Sequence, residues 1–149
     1  MNDVEVASAG IEHPAWAEGC VEFASSVLEL RGIDNWELSI LLTDDGTIRQ
    51  LNRHYREIDA ATDVLSFPQD PDYATSICEG KVPAGDVVIS LDTLRRNARV
   101  REIPEEEELK RLLIHGILHL EGLDHEDERS EMIRVQEELV HRLKKERIF

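Results

Sequence analysis

The stretch IPEEEELKRLLIHGILHLEGLDH, residues 103–125, decides how the rest of the chain must be arranged. Pro104 and the four glutamates Glu105 to Glu108 stand where a helix favours proline and negative charge: the first turn leaves N–H groups unpaired and carries the positive end of the helix dipole. Leu109, Leu112, Leu113, Ile117 and Leu120 then recur at the three- and four-residue steps of one helical face, and Gly122 is a natural terminator. The spacing predicts a helix from Pro104 to about Leu120 with its apolar side in a core.

Working outward, Val64 to Phe67 and Asp86 to Leu91 are short runs rich in β-branched or aromatic residues, and both read as strands. Trp36, Leu38, Ile40 and Leu42 alternate like a strand with one face inward, and Val4 to Ser8 is a weaker strand candidate. Pro14 reads as a first helical residue ahead of Val21, Ala24, Val27 and Leu28, with Gly32 as the stop. Thr43 and Asp44 can cap a helix that carries Ile48, Leu51 and Tyr55 on one face and the row Arg49, Arg53, Arg56 on the next. Asp92 to Val100 reads as a short helix, and a last helix carries Met132, Val135, Leu139 and Leu143. Gln69 to Ala84 contains Pro71, Gly80 and Pro83 without a period and reads as an exposed loop. Strands interleaved with about five helices, without repeat or linker, imply one α+β domain over residues 1–149.

Composition agrees with one packed domain. With 41% apolar and 33% charged residues among 149, the chain is too apolar to be disordered and long enough for a single core. No apolar run approaches the ~20 residues that cross a bilayer, and the N-terminus lacks a basic start and a long apolar stretch, so a cytoplasmic location is expected. Cys20 and Cys78 show no CxxC spacing and read as neither metal ligands nor a disulfide. The formal net charge of −15 argues against broad attraction to a polyanion, although the arginines at 49, 53, 56, 95, 96 and 99 cluster apart from the acids.

The chemistry concentrates at His115, His119 and His125. Residues four apart on a helix share a face one turn apart, so His115 and His119 can approach one ion, and a reversal at Gly122 could return His125 beneath them. Three neutral imidazoles suit zinc, one ion per chain, and leave a coordination position open, which is the arrangement of hydrolytic sites. Nickel, copper or iron could take the same nitrogens. The His and Gly spacing also matches the zinc-peptidase pattern HExxHxxGxxH, but Gly116 occupies the place of its general base. Glu121, the nearest substitute, reads as a residue of a solvated face.

Three motifs in order carry a family resemblance. HGILHLEGLDH, His115 to His125, is similar to the HGxLHLxGYDH signature of the bacterial YbeY endoribonuclease family; LNRHYREIDAATDVLSFP, Leu51 to Pro68, resembles its LNxxYRxxDxPTDVLSFP segment; and GDVVIS, Gly85 to Ser90, resembles its GDIxIS strand. Leu123 and Ala61 depart from the usual Tyr and Pro. The resemblance implies a small mixed four-stranded sheet with surrounding helices, and a metal held by the three histidines. It further implies single-strand-specific cleavage in ribosomal RNA maturation, notably at the small-subunit 3′ end, and a part in ribosome quality control. Single-stranded ribosomal RNA, the ribosome and its assembly proteins are then the expected partners.

Arg56 matches the family's functional arginine, and a guanidinium can hold a phosphate bidentately. Arg49 and Arg53 read as a solvated row with RNA backbone contact as the alternative. Asp63 and Ser66 read as turn or strand-end residues, and Asp124 as a residue orienting a histidine or the turn. Two rival functions share these residues: another metal-dependent hydrolase such as a peptidase, and a non-catalytic ribosome-associated module whose metal only holds the fold.

Overall fold

The computed structural model describes residues 1–69, 80–123 and 129–149. Among them the elements run β1 (Asp3–Ser8), α1 (Ala17–Leu30), β2 (Trp36–Thr43), α2 (Asp45–Arg56), β3 (Val64–Pro68), β4 (Val82–Ser90), α3 (Leu91–Arg101), α4 (Glu105–Glu121) and α5 (Arg129–Arg142). The sheet order is β1-β2-β4-β3, with β1, β2 and β4 parallel and β3 antiparallel to β4, so the domain is α+β around a mixed four-stranded sheet, as expected. Parallel neighbours need a crossover rather than a tight turn. Between β1 and β2 that crossover contains α1; between β2 and β4 it contains α2 and β3.

Alternation along the central strands splits the core in two. Leu38, Ile40 and Leu42 of β2 with Val87 and Ile89 of β4 face the large cluster built with α1, α3, α4 and α5. Leu41, Val88, Leu65 and Phe67 face the other way, where Ile48 and Leu51 of α2 cover them. Leu109, Leu112, Leu113 and Ile117 of α4 are buried as their spacing predicts, with Leu120 partly so. Cys20 lies in the large cluster, where burial first, and Glu18 second, push its thiol up to about 12; Cys78 lies outside the described residues.

Two boundaries differ from the sequence reading. Pro14 does not open α1: its carbonyl accepts the Ala17 N–H at 3.1 Å in a preceding turn, and the helix begins at Ala17. The expected loop from Gln69 to Ala84 gives up its end to β4, which starts at Val82; residues 70–79 lie outside the described residues. Pro83 and Gly85 obscure this strand because a bulge carries them: the register jumps from Glu37↔Pro83 to Leu38↔Gly85. Gly85 has φ 136°, and a Cβ there would run into the Phe67 carbonyl. Tyr55, placed by period on the apolar face of α2, is 63% exposed and packs against Phe67 with ring centroids 5.2 Å apart.

The cap of α2 matters because the helix carries Arg56 at its last turn. Asp44 is in extended conformation and its Oδ1 accepts the Thr47 N–H at 2.9 Å, satisfying one orphan donor of the first turn. That bond is the main cause holding the Asp44 carboxyl below the usual range. A depressed folded pKa means the carboxylate contributes stability above the ordinary aspartate value of about 3.9 and loses it as pH falls through that value towards the folded one. Asp44→Ala is expected to lower stability by about 0.5–2 kcal/mol at pH 7 and by progressively less below about pH 4, read from urea denaturation midpoints across pH.

Candidate active site

Helix α4 presents His115 and His119 one turn apart at its C-terminal end. Their Nε2 atoms are 3.1 Å apart and their ring centroids 4.6 Å apart at 74°. Gly122, at φ 108°, ends the helix as its sequence position predicts: its N–H donates to the His119 carbonyl and that of Leu123 to the Leu118 carbonyl, both at 3.0 Å. The chain therefore turns away directly beyond the histidine pair. His125 and Asp124 lie outside the described residues, and among the described residues no three metal-capable side chains cluster.

Two vertices of a zinc tetrahedron with Zn–N of about 2.0–2.1 Å lie about 3.3 Å apart, so the spacing of the two Nε2 atoms fits two ligands of one small ion. Both rings are half-buried and line a cavity of about 670 Å³ together with Arg56, Asp63, Ser66 and Leu123. Gln136, on the buried side of α5, sets its Oε1 2.8 Å from His115 Nδ1. Sequence reasoning passed over this residue. The available signal was a glutamine in register with Met132, Leu139 and Leu143, a polar side chain inside an apolar stripe.

Gly116 is where α4 touches the sheet. A Cβ there would stand 2.6 Å from Val87 Cγ1 and 2.9 Å from Val87 Cγ2, and the Ser66 hydroxyl donates to the Gly116 carbonyl at 3.0 Å. The position that holds the general base in zinc peptidases is thus filled by the sheet itself. Glu121 is not on a solvated face, contrary to expectation: Arg31 Nη2 and Nε donate to its two carboxylate oxygens at 2.7 and 2.9 Å, and both side chains are about three-quarters buried. An acid so engaged is a poor substitute base.

The arginine row of α2 separates by partner. Arg49 is exposed and paired with Asp59 at 2.8 Å, whereas Arg56 reaches the cavity and donates Nη2 to the Ser66 carbonyl at 3.0 Å. β3 is an edge strand, and its carbonyls at Asp63, Leu65 and Phe67 alternate toward β4, leaving that of Ser66 on the open edge. Arg56 closes this open position. Among the described residues no carboxylate pairs with Arg56 or Arg53. Asp63 ends the strand as expected, accepting from Val64 N–H at 2.8 Å and Asn97 Nδ2 at 3.2 Å.

A family model for endoribonuclease YbeY matches residues 3–144. The chain belongs to the endoribonuclease YbeY family. The endoribonuclease YbeY of Treponema denticola is 47% identical over 129 residues, covering 85% of this chain and 83% of its own length. That of Treponema pallidum is 42% identical over 142 residues, covering 94% and 89%, and that of Persephonella marina 46% identical over 129 residues, covering 83% and 80%. A solution structure from Thermotoga maritima superposes with TM-score 0.63 at 28% identity, covering 95% of this chain and 87% of that one. Among the described residues no helix is long and apolar enough to cross a membrane.

The contact at Gly116 gives this YbeY-family chain a sharp sensitivity. Gly116→Ala is expected to destabilise despite the ~1 kcal/mol that alanine gains in helix propensity, because forcing a methyl against a stiff, buried valine costs about 1–3 kcal/mol. Gly116→Glu, which would recreate the peptidase pattern, is expected to prevent folding, as read by circular dichroism and the soluble fraction. A folded Gly116→Glu protein of unchanged stability would mean that α4 does not lie this close to the sheet.

Proposed function

We propose that this chain is a metal-dependent endoribonuclease acting on single-stranded RNA. Its substrate class is ribosomal RNA during maturation, notably the 3′ end of small-subunit RNA, with a part in ribosome quality control. Such a role implies the cytoplasm and, as partners, ribosomes or ribosome-assembly proteins. The observation that carries the reading is one cavity lined both by two imidazoles whose Nε2 atoms lie 3.1 Å apart and by an arginine without a carboxylate partner among the described residues. Family membership supports the same activity class.

His115, His119 and His125 would hold one zinc ion per chain, the first two by Nε2. When bound there, a divalent ion supplies Lewis acidity toward a phosphoryl oxygen or water. The chain's own groups do the rest of the work. Arg56, steadied at one nitrogen by the Ser66 carbonyl, keeps further N–H donors for a phosphate and for the charge that grows on it during cleavage. Electrostatics favour a short contact: with a net charge of −15, the molecule can attract RNA only where local cations are uncompensated. The peptidase alternative is weakened by the filled position at Gly116 and by the engagement of Glu121 with Arg31.

The test uses protein purified without a histidine tag and single-stranded ribosomal RNA precursors. Elemental analysis is expected to find about one zinc per chain, in line with a three-histidine site. Arg56→Ala should keep the metal and lose about 100-fold or more in cleavage rate, the scale for removing one transition-state donor, whereas His115→Ala should lose both metal and cleavage. Equal cleavage by wild type and both variants would expose a contaminant. Digestion of an unstructured protein with RNA untouched would select the peptidase, and ribosome association with full biological rescue but no cleavage would select the non-catalytic module.

A further inference from the structure

Gln136 is a buried polar residue, only 6% exposed, whose two amide atoms have different neighbours. Its Nε2 donates to Glu137 Oε2 at 3.1 Å, and its Oε1 meets His115 Nδ1 at 2.8 Å. Glu137 is gripped in turn by Arg111, whose Nη2 and Nε reach the two carboxylate oxygens at 2.8 and 2.9 Å. Arg111 is itself anchored, 14% exposed and 3.6 Å from Glu108. Glu108 has no solvent exposure and also receives Asn97 at 3.2 Å and Arg101 at 3.1 Å. A chain of polar contacts thus runs from a buried carboxylate on α4, across to α5, and back to the first histidine of the site.

Chemistry fixes the direction of each link from Arg111 through Glu137 and Gln136 to His115 Nδ1. A guanidinium only donates and an ionised carboxylate only accepts, and Glu137 is kept ionised because the hydrogen bond from Arg111, with burial opposing it, holds its carboxyl below the usual range. Its oxygens must therefore face the amide nitrogen of Gln136, since a flipped amide would set carbonyl against carboxylate. With the nitrogen so committed, the carbonyl faces His115 and can only accept. His115 Nδ1 then carries the hydrogen. A neutral imidazole has one N–H, so the Nε2 atom beside His119 is left with its lone pair.

We propose that Gln136 is a positioning residue that holds His115 as the Nδ1–H tautomer and so turns an unprotonated Nε2 toward the place where His119 Nε2 also points. The neighbouring Glu137–Arg111 pair sets the polarity of the amide. The consequence for metal affinity rests on the zinc reading given above; the tautomer itself does not. A metal-binding histidine commonly has its other ring nitrogen fixed by such a partner, and loss of the partner weakens metal binding about 10- to 100-fold. Here the partner is an uncharged amide, which orients the ring without adding a negative charge beside it.

The experiment uses the full chain, ¹⁵N-labelled and stripped of metal, at about pH 8, above the ordinary imidazole pKa. Long-range ¹H–¹⁵N spectra, assigned against His115→Ala, are expected to show His115 protonated at Nδ1 alone. Gln136→Met, similar in length but without the carbonyl, should give a mixture of tautomers. Glu137→Ala, which frees the amide to flip, should shift the ratio in the same direction by less. Zinc competition titrations should show Gln136→Met weakened by about 10- to 100-fold, with Glu137→Ala between it and wild type. Circular dichroism and denaturation midpoints identify folded variants; a merely space-filling role would leave the tautomer ratio unmoved. An unchanged ratio in a folded Gln136→Met, or in a folded Glu137→Ala should the former not fold, overturns the proposal. A fixed tautomer in wild type that binds no zinc at any concentration upholds the positioning role and overturns the metal reading instead.

Discussion

At residue 116 the backbone of α4 lies so close to β4 that a single methyl group would overlap Val87, and the Ser66 hydroxyl on β3 bonds the Gly116 carbonyl across the same contact. This approach sets the depth of the helix on the sheet. His115 and His119 flank the contact on the same helix, while Ser66 is also the residue whose carbonyl receives Arg56. One glycine therefore fixes the distance between the two imidazoles and the strand edge that holds the guanidinium. A bulkier residue would lift α4 from the sheet and open the cavity along its length, because packed interiors give little room for local adjustment.

The sequence made this arrangement partly legible. Residues 104–122 carry their own start, period and stop, so α4 and the pairing of its histidines follow from helical geometry without any tertiary information. The alternation in Trp36 to Leu42 likewise exposes a strand with one face in the larger core. What escaped depends on contacts between distant parts of the chain. Glu121 looks solvated until Arg31, ninety residues away, is found to grip it, and β4 hides its first residues because Pro83 and Gly85 look like loop until the bulge against β2 is seen. Pro14 has the right local chemistry for a helix start, but the chain spends two further residues in a turn before α1 begins.

Glu108 illustrates the same limit. In sequence it is one of four glutamates suited to the dipole of a helix N-terminus, and nothing local distinguishes it from Glu105 to Glu107. In the fold it is wholly buried between α3 and α4, where burial pushes its carboxyl up against the opposing pull of Arg101, Asn97 and Arg111. A buried carboxylate is expensive unless fully bonded, and although Arg111 is one turn along α4, Asn97 and Arg101 come from α3, which a helical wheel of α4 alone does not show. The N-terminal half of α4 is thereby tied to α3 and α5, and through Arg111 and Glu137 to the glutamine beside His115.

Charge pairing accounts for how an acidic chain can present a cationic site. Arg31, Arg49, Arg96, Arg101, Arg111 and Arg147 each meet a carboxylate within 4 Å, so much of the basic inventory is already neutralised at close range. Arg56 is held by a backbone carbonyl instead, which orients the guanidinium, and among the described residues no carboxylate stands within ion-pair distance of it. Asp63, the acid that shares its cavity, has its oxygens occupied by the Val64 N–H and Asn97. On the endoribonuclease reading, a phosphate entering the cavity meets an arginine already aimed and, among the described residues, engaged in no ion pair. Elsewhere the excess of acids repels a polyanion, so attraction is confined to whatever length of strand reaches the cleft. On that reading, the strand is engaged where, among the described residues, an arginine has no acidic partner, without requiring a basic surface.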